Sequence, residues 1–109
     1  MKLWLDDLRT PPDESWTWLK TVDEAIAAMR TGEVTEASLD NDLGLDGAGN
    51  ELPQGRRLAY WMAEHDCWPS EALTVHSANV VSSEYMVGMI ERYSPLTRVG
   101  ASPRFVAER

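Results

Sequence analysis

Acidic residues close two short apolar runs of this chain. Leu3-Trp4-Leu5 gives way to Asp6-Asp7, and Ala37-Ser38-Leu39 gives way to Asp40-Asn41-Asp42. A third run, Leu73-Thr74-Val75, ends in His76-Ser77-Ala78-Asn79. If these runs are strands of one parallel sheet, their ends share its carboxyl edge, where open α/β sheets bind ligands. Carboxylates gathered there repel one another until a cation or a shared proton relieves them. Asp6, Asp7, Asp40 and Asp42 offer only oxygen, a donor set that suits Mg²⁺ or Mn²⁺. The alternative is that both acidic pairs simply form solvated turns. Asp40 and His76 are the candidate catalytic residues, since histidine serves as acid, base or ligand near neutral pH. A histidine bonded to backbone for packing is the competing reading. Ser77 and Asn79 can donate to phosphate oxygens, though both are also ordinary turn residues. Arg9 either forks onto a phosphate or pairs with Asp7.

The acidic loop does not read as a calcium-binding EF-hand. With Asp40 as first ligand, Leu45 falls where glycine is required; with Asp42 first, Pro53 falls where glutamate is required.

The elements that must position these residues follow from local patterns. Lys2 to Leu5 reads as a first strand. Pro11-Pro12 bars a helix after it, because consecutive prolines remove donors and restrict the preceding residue. Trp16 to Leu19 is rich in β-favouring residues. Thr21 and Glu24 have capping-box spacing, and Val22, Ala25, Ile26 and Met29 form one apolar helical face that stops at Gly32. Asp23 and Glu24 suit the positive end of that helix. Ala37 to Leu39 is the next strand, followed by a glycine-rich loop from Leu43 to Leu52. Pro53 is expected at the first position of a helix whose inward stripe is Leu58, Trp61, Met62 and His65, ending before Pro69. After Leu73 to Val75 comes a helix with Met86, Met89, Ile90 and Tyr93 at helical spacing, stopped by Pro95. Leu96 to Val99 reads as a last short strand and Ser102 to Arg109 as a tail. Strands alternating with single helices predict a right-handed, three-layer α/β sandwich.

At 109 residues the chain is expected to be one domain, 1–109, with a core that needs no metal or disulfide staple. No apolar run reaches the roughly 20 residues of a membrane span, and the first residues do not form a secretory signal. The lone Cys67 excludes an internal disulfide and fits a reducing cytosol, so a cytoplasmic location is expected. The formal charge of −8 disfavours long nucleic acids, whose affinity rests on phosphate neutralisation. A small phosphorylated ligand fits if a metal inverts the local field. The five tryptophans read as packing residues rather than a platform for bases. His65 reads as structural.

Taken together, Leu5-Asp6-Asp7-Leu8-Arg9-Thr10-Pro11-Pro12, Ser38-Leu39-Asp40-Asn41-Asp42-Leu43-Gly44 and His76-Ser77-Ala78-Asn79 resemble the cyclic-phosphate-processing receiver-like family, a branch of the receiver (flavodoxin-like) fold. The pieces run in the right order over most of the chain. The resemblance implies a reduced three-layer sandwich with a central, mostly parallel sheet. It also implies an acidic metal pocket like that of two-component receivers, turned to nucleotide-derived cyclic phosphates. On that reading the protein is a metal-dependent phosphoesterase. Asp6, Asp7 and Asp40 hold Mg²⁺ or Mn²⁺, His76 moves a proton, and Arg9, Ser77 and Asn79 orient phosphoryl oxygens. A module that binds a phosphorylated ligand or partner without turnover is the alternative. A phosphorelay receiver fits less well, because the only lysines are Lys2 and Lys20 and Arg98 would have to replace the usual one. Two positions depart from the family's pattern: Asn41 stands where histidine is common, and Val80-Val81-Ser82 where proline and glycine commonly follow.

Overall fold

The structure, a computed structural model, describes residues 1–108. The chain runs β1 (Lys2–Leu5), β2 (Trp16–Leu19), α1 (Val22–Arg30), β3 (Glu36–Leu39), α2 (Gly55–His65), β4 (Ala72–Val75), α3 (Val80–Tyr93), β5 (Thr97–Arg98) and β6 (Arg104–Val106). The six strands form one sheet in the order β2-β1-β3-β4-β6-β5. The first four are parallel and in register, with Leu3 opposite Ala37 and Ala37 opposite Leu73. β6 runs antiparallel to both of its neighbours, so β5 at the edge points the same way as the first four. The α/β class and mostly parallel sheet are as the sequence predicts. Among the described residues no helix is long and apolar enough to cross a membrane.

The third layer is not formed. α1 packs on α2 and α2 on α3, so all three helices lie side by side on one face of the sheet. The cause is topological. The crossovers β2 to β3, β3 to β4 and β4 onward all step in the same direction across the sheet, and right-handed crossovers in one direction stack on one face. Only the β1 to β2 connection steps the other way, and Pro11-Pro12 keeps it free of helix. Alternation then divides the strands. Leu3, Leu5, Ala37, Leu39, Leu73 and Val75 face the helices and are buried. Lys2, Trp4, Glu36, Ser38 and Thr74 share the opposite face.

The helices follow their sequence signals with local exceptions. Thr21 caps α1, its side chain accepting from the Glu24 N–H at 3.2 Å while Glu24 reaches back to the Thr21 hydroxyl. Leu58 and Met62 are buried in α2, but Trp61 is half-buried and His65 exposed. The His65 ring stacks on Trp61 and bonds its carbonyl, the structural role expected of it. In α3, Met86, Val87 and Ile90 face inward and Tyr93 does not. Pro53 is not the first residue of α2, which starts at Gly55 behind Gln54.

The expected tail from Ser102 is corrected by β6. Arg104–Val106 inserts between β4 and β5 and buries Phe105 completely. A three-residue strand with one core side chain offers too short an alternation to read. Arg109 lies outside the described residues.

Candidate functional site

Period-two alternation puts Trp4 and Asp6, Ser38 and Asp40, and Thr74 and His76 on the helix-free side of three adjacent strands. Trp4, Ser38 and Thr74 stand in one row. The ladder continues past the strand ends, with Asp40 N–H on the Leu5 carbonyl and His76 N–H on the Leu39 carbonyl, both at 2.9 Å. Asp6, Asp40 and His76 therefore form the next row. β3 separates the strands carrying Asp6 and His76, yet the histidine reaches across, because the residue beneath it is the small Ser38. Its Nε2 lies 2.9 Å from Asp6 Oδ2 and its Nδ1 lies 2.7 Å from Ser38 Oγ. Trp4 supports the ring from below, stacked at 4.0 Å and 7° from parallel. The Trp4 indole N–H is fixed on the Arg9 carbonyl at 2.8 Å, and that of Trp18 on the Asp6 carbonyl at 2.7 Å.

These contacts set the protonation states. Burial pushes the Asp6 carboxyl up, but the Arg9 and Leu8 N–H groups on Oδ1, with His76 on Oδ2, outweigh it and hold it below the ordinary value. Asp6 is thus an acceptor, so His76 Nε2 carries the hydrogen between them. Burial lowers the His76 pKa despite the pull of Asp6, leaving a neutral ring whose Nδ1 accepts from the Ser38 hydroxyl. Asp40 is shifted the other way. Burial raises its pKa and the charge of Asp6 adds to this, against the Asn41 N–H, His76 and Ser77.

Asp6, Asp7 and Asp40 each bring a carboxylate oxygen to a group whose atoms all lie within 4.8 Å of one another. Such an arrangement can bind a metal ion. Its chemistry fits a hard divalent cation: the donors are all oxygen, and one of them, Asp40, is disfavoured as an anion without a counter-charge. Asp42, expected as a fourth ligand, lines the same cavity of about 430 Å³ but stands outside this group. Its Oδ1 accepts from the Asn41 side-chain amide at 3.2 Å. Arg9 lines the cavity and does not pair with Asp7; its Nη1 donates to the His76 carbonyl at 3.1 Å. Ser77 and Asn79 are off the cavity wall, although Ala78 between them is on it. The Ser77 hydroxyl accepts the Asn79 N–H, and Asn79 caps α3 by accepting from Ser82.

Two residues outside the expected site hold it together. Ser38 fixes the tautomer and orientation of His76. Asn41 is fully buried and caps α2 from a distance. Its carbonyl accepts the Gly55 N–H at 2.8 Å and its Oδ1 accepts the Arg56 N–H at 3.2 Å. A Cβ at Gly55 would lie 1.8 Å from the Asp40 carbonyl oxygen, so only glycine lets α2 begin against the acidic strand end. Even-numbered alternation through Trp4-Asp6, Ser38-Asp40 and Thr74-His76 is the signal that could have found Ser38.

Gly44 shapes the wall beside Asp7. Its φ is +85°, and a Cβ there would lie 2.9 Å from Asp7 Oδ2. Gly44→Ala is expected to displace that carboxylate and weaken Mn²⁺ binding about tenfold, in the range seen when a ligand's support is disturbed. The left-handed backbone adds about 1–2 kcal/mol of strain. Calorimetric titration with Mn²⁺ checks this, and an unchanged Kd removes Asp7 from the ligand set.

Residues 1–92 match a family model described as the cyclic-phosphate processing receiver domain. No curated protein and no solved structure matches the chain.

Proposed function

The chain belongs to the cyclic-phosphate processing receiver family, and from that membership we propose that it hydrolyses a nucleotide-derived cyclic phosphate at the acidic cavity, with Asp6, Asp7 and Asp40 holding Mg²⁺ or Mn²⁺. The observation that carries the reading is the convergence of these three carboxylates, with Asp40 pushed up by burial and by Asp6. A divalent cation bound there supplies the positive charge that a phosphoryl group needs as charge builds on its oxygens. In the reaction, a water oxygen bonds to phosphorus as the water gives up one proton, and the bond to one sugar oxygen breaks. That oxygen takes up the proton the water gave up, directly or through solvent, and the cyclic diester becomes a monoester.

The chain's own residues bind and orient. Arg9 spends one N–H on the His76 carbonyl and keeps the rest of its fork for phosphoryl oxygens. The Leu8 and Arg9 N–H groups and His76 fix the Asp6 carboxylate on the cavity wall, so that it needs no reorganisation to act there. His76 is assigned to positioning: its Nε2–H is engaged by Asp6, and Ser38 closes Nδ1. Leu8, which is exposed, and Ala78 offer the apolar part of the wall.

The engagement of both histidine nitrogens also favours the second reading, a module that binds the phosphorylated ligand without turning it over. A phosphorelay is weaker. Lys2 is held by Ser15, Lys20 lies over Trp18, and Arg98 pairs with Glu91.

Incubation with a panel of 2′,3′- and 3′,5′-cyclic nucleotides and Mn²⁺, followed by phosphorus NMR, tests the proposal. The expected outcome is a phosphomonoester product that ceases to form in EDTA. Saturable binding without product assigns the binding module instead. Neither binding nor product sinks both.

A further inference from the structure

A larger cavity, of about 640 Å³, shares no lining residue with the acidic one. Its wall carries Arg56, Arg57 and Tyr60 from α2 and Tyr85 from α3. Residues 56, 57 and 60 share one side of α2, being three and four apart. The two tyrosine rings stand 5.7 Å apart at 56°, their hydroxyls in contact, and both remain substantially exposed.

The arginines differ from the other described cations. Lys2, Lys20, Arg30 and Arg92 lie over aromatic rings. Arg9 bonds the His76 carbonyl, and Arg98 and Arg104 pair with Glu91 and Glu36. Among the described residues, Arg56 and Arg57 alone have guanidinium groups with no hydrogen bond, ion pair or ring partner. They are neighbours, in a chain of net charge −8. They also sit in the first turn of α2, where a cation works against the helix dipole. The acid on this wall, Glu51, is occupied by the Gln54 amide at 2.9 Å.

Two unpaired guanidinium forks beside two available phenol faces match one ligand chemistry. The forks recognise phosphate or carboxylate oxygens in pairs, and the phenols stack on a flat ring. The volume lies within the about 300–1,000 Å³ usual for small-molecule sites. We propose that this cavity is a second binding site, separate from the acidic one, for an anion that carries a planar ring, the combination a nucleoside monophosphate presents. It needs no metal ion and does not depend on turnover at the acidic cavity.

The test is calorimetric titration of the whole protein with adenosine 5′-monophosphate in EDTA, so that no cation contributes. Saturable binding is expected. It should weaken at least tenfold in R56Q/R57Q and persist in D40N. Circular dichroism and melting of R56Q/R57Q confirm that the exposed substitutions leave the fold intact, and Tyr60→Ala should weaken binding independently of charge. Inorganic phosphate alone should bind at least tenfold more weakly than the nucleotide. The proposal is overturned by an absence of binding, by binding that survives R56Q/R57Q, or by binding lost in D40N. Phosphate binding as tightly as the nucleotide also overturns it, since the tyrosines would then have no role.

Discussion

Asp40→Asn is expected to abolish cyclic-phosphate turnover and saturable Mg²⁺ or Mn²⁺ binding, while leaving the metal-free protein at least as stable as before. The two halves of this expectation have one cause. Asp40 is raised by burial and by the charge of Asp6, so without a cation its ionised form works against the fold. The amide removes that repulsion and keeps the shape, and its oxygen can still accept the Asn41 N–H that now meets Asp40 Oδ1 at 2.8 Å. On the proposed reading, the same carboxylate is one of the three donors to the cation. Losing it removes several kcal/mol of metal-borne stabilisation of the transition state, or at least about a thousandfold in rate. Calorimetric titration, a thermal melt in EDTA and a turnover assay on the same preparation measure all three. Turnover that survives the substitution excludes Asp40 from the chemistry. A melting point that falls by many degrees would mean that Asp40 serves the fold instead.

Much of the site was legible because it depends on strand ends. Residues that close parallel strands must share an edge, so the strand-end pattern alone brings Asp6, Asp40 and His76 together. The Thr21 and Glu24 cap was legible for a similar reason, since its partners are three residues apart. The failures are contacts that no local spacing encodes. Ser38 meets His76 only because three strands hold one register and the histidine leans over the middle one. Asn41 caps a helix that starts fourteen residues later, and its burial reflects the glycine at position 55 that lets α2 close on it. Asp42 carries the same charge as Asp40, but it stands two residues on, where its oxygen meets the Asn41 amide. The missing third layer was implicit in the sequence as well. It needed the strand order, which fixes the direction of each crossover, and that order is a long-range property. The one local clue, Pro11-Pro12, tells where a helix is absent but not which face it leaves bare.

Phe105→Ala is expected to destabilise the protein by about 3–5 kcal/mol, the cost of emptying an aromatic site in a core. For a domain of this size that lowers the melting point by more than about 10 °C, and it is a large share of a total stability of about 5–15 kcal/mol. The residue is fully buried and pairs with Leu73 of β4 on one side and Arg98 of β5 on the other. Without it, neither β5 nor the far edge of β4 has a core contact from β6. The consequence reaches the site through the backbone. The Val75 N–H donates to the Pro103 carbonyl at 2.9 Å, just ahead of β6, and Val75 immediately precedes His76. A loosened β6 should therefore weaken Mn²⁺ binding in the fraction that remains folded. Phe105→Leu, which keeps most of the volume, should lose less than about 1.5 kcal/mol and bind the ion normally. Equal melting points for wild type and Phe105→Ala would return residues 102–108 to the status of a tail. A cooperative loss confined to the alanine variant makes this last strand part of the frame that holds the histidine.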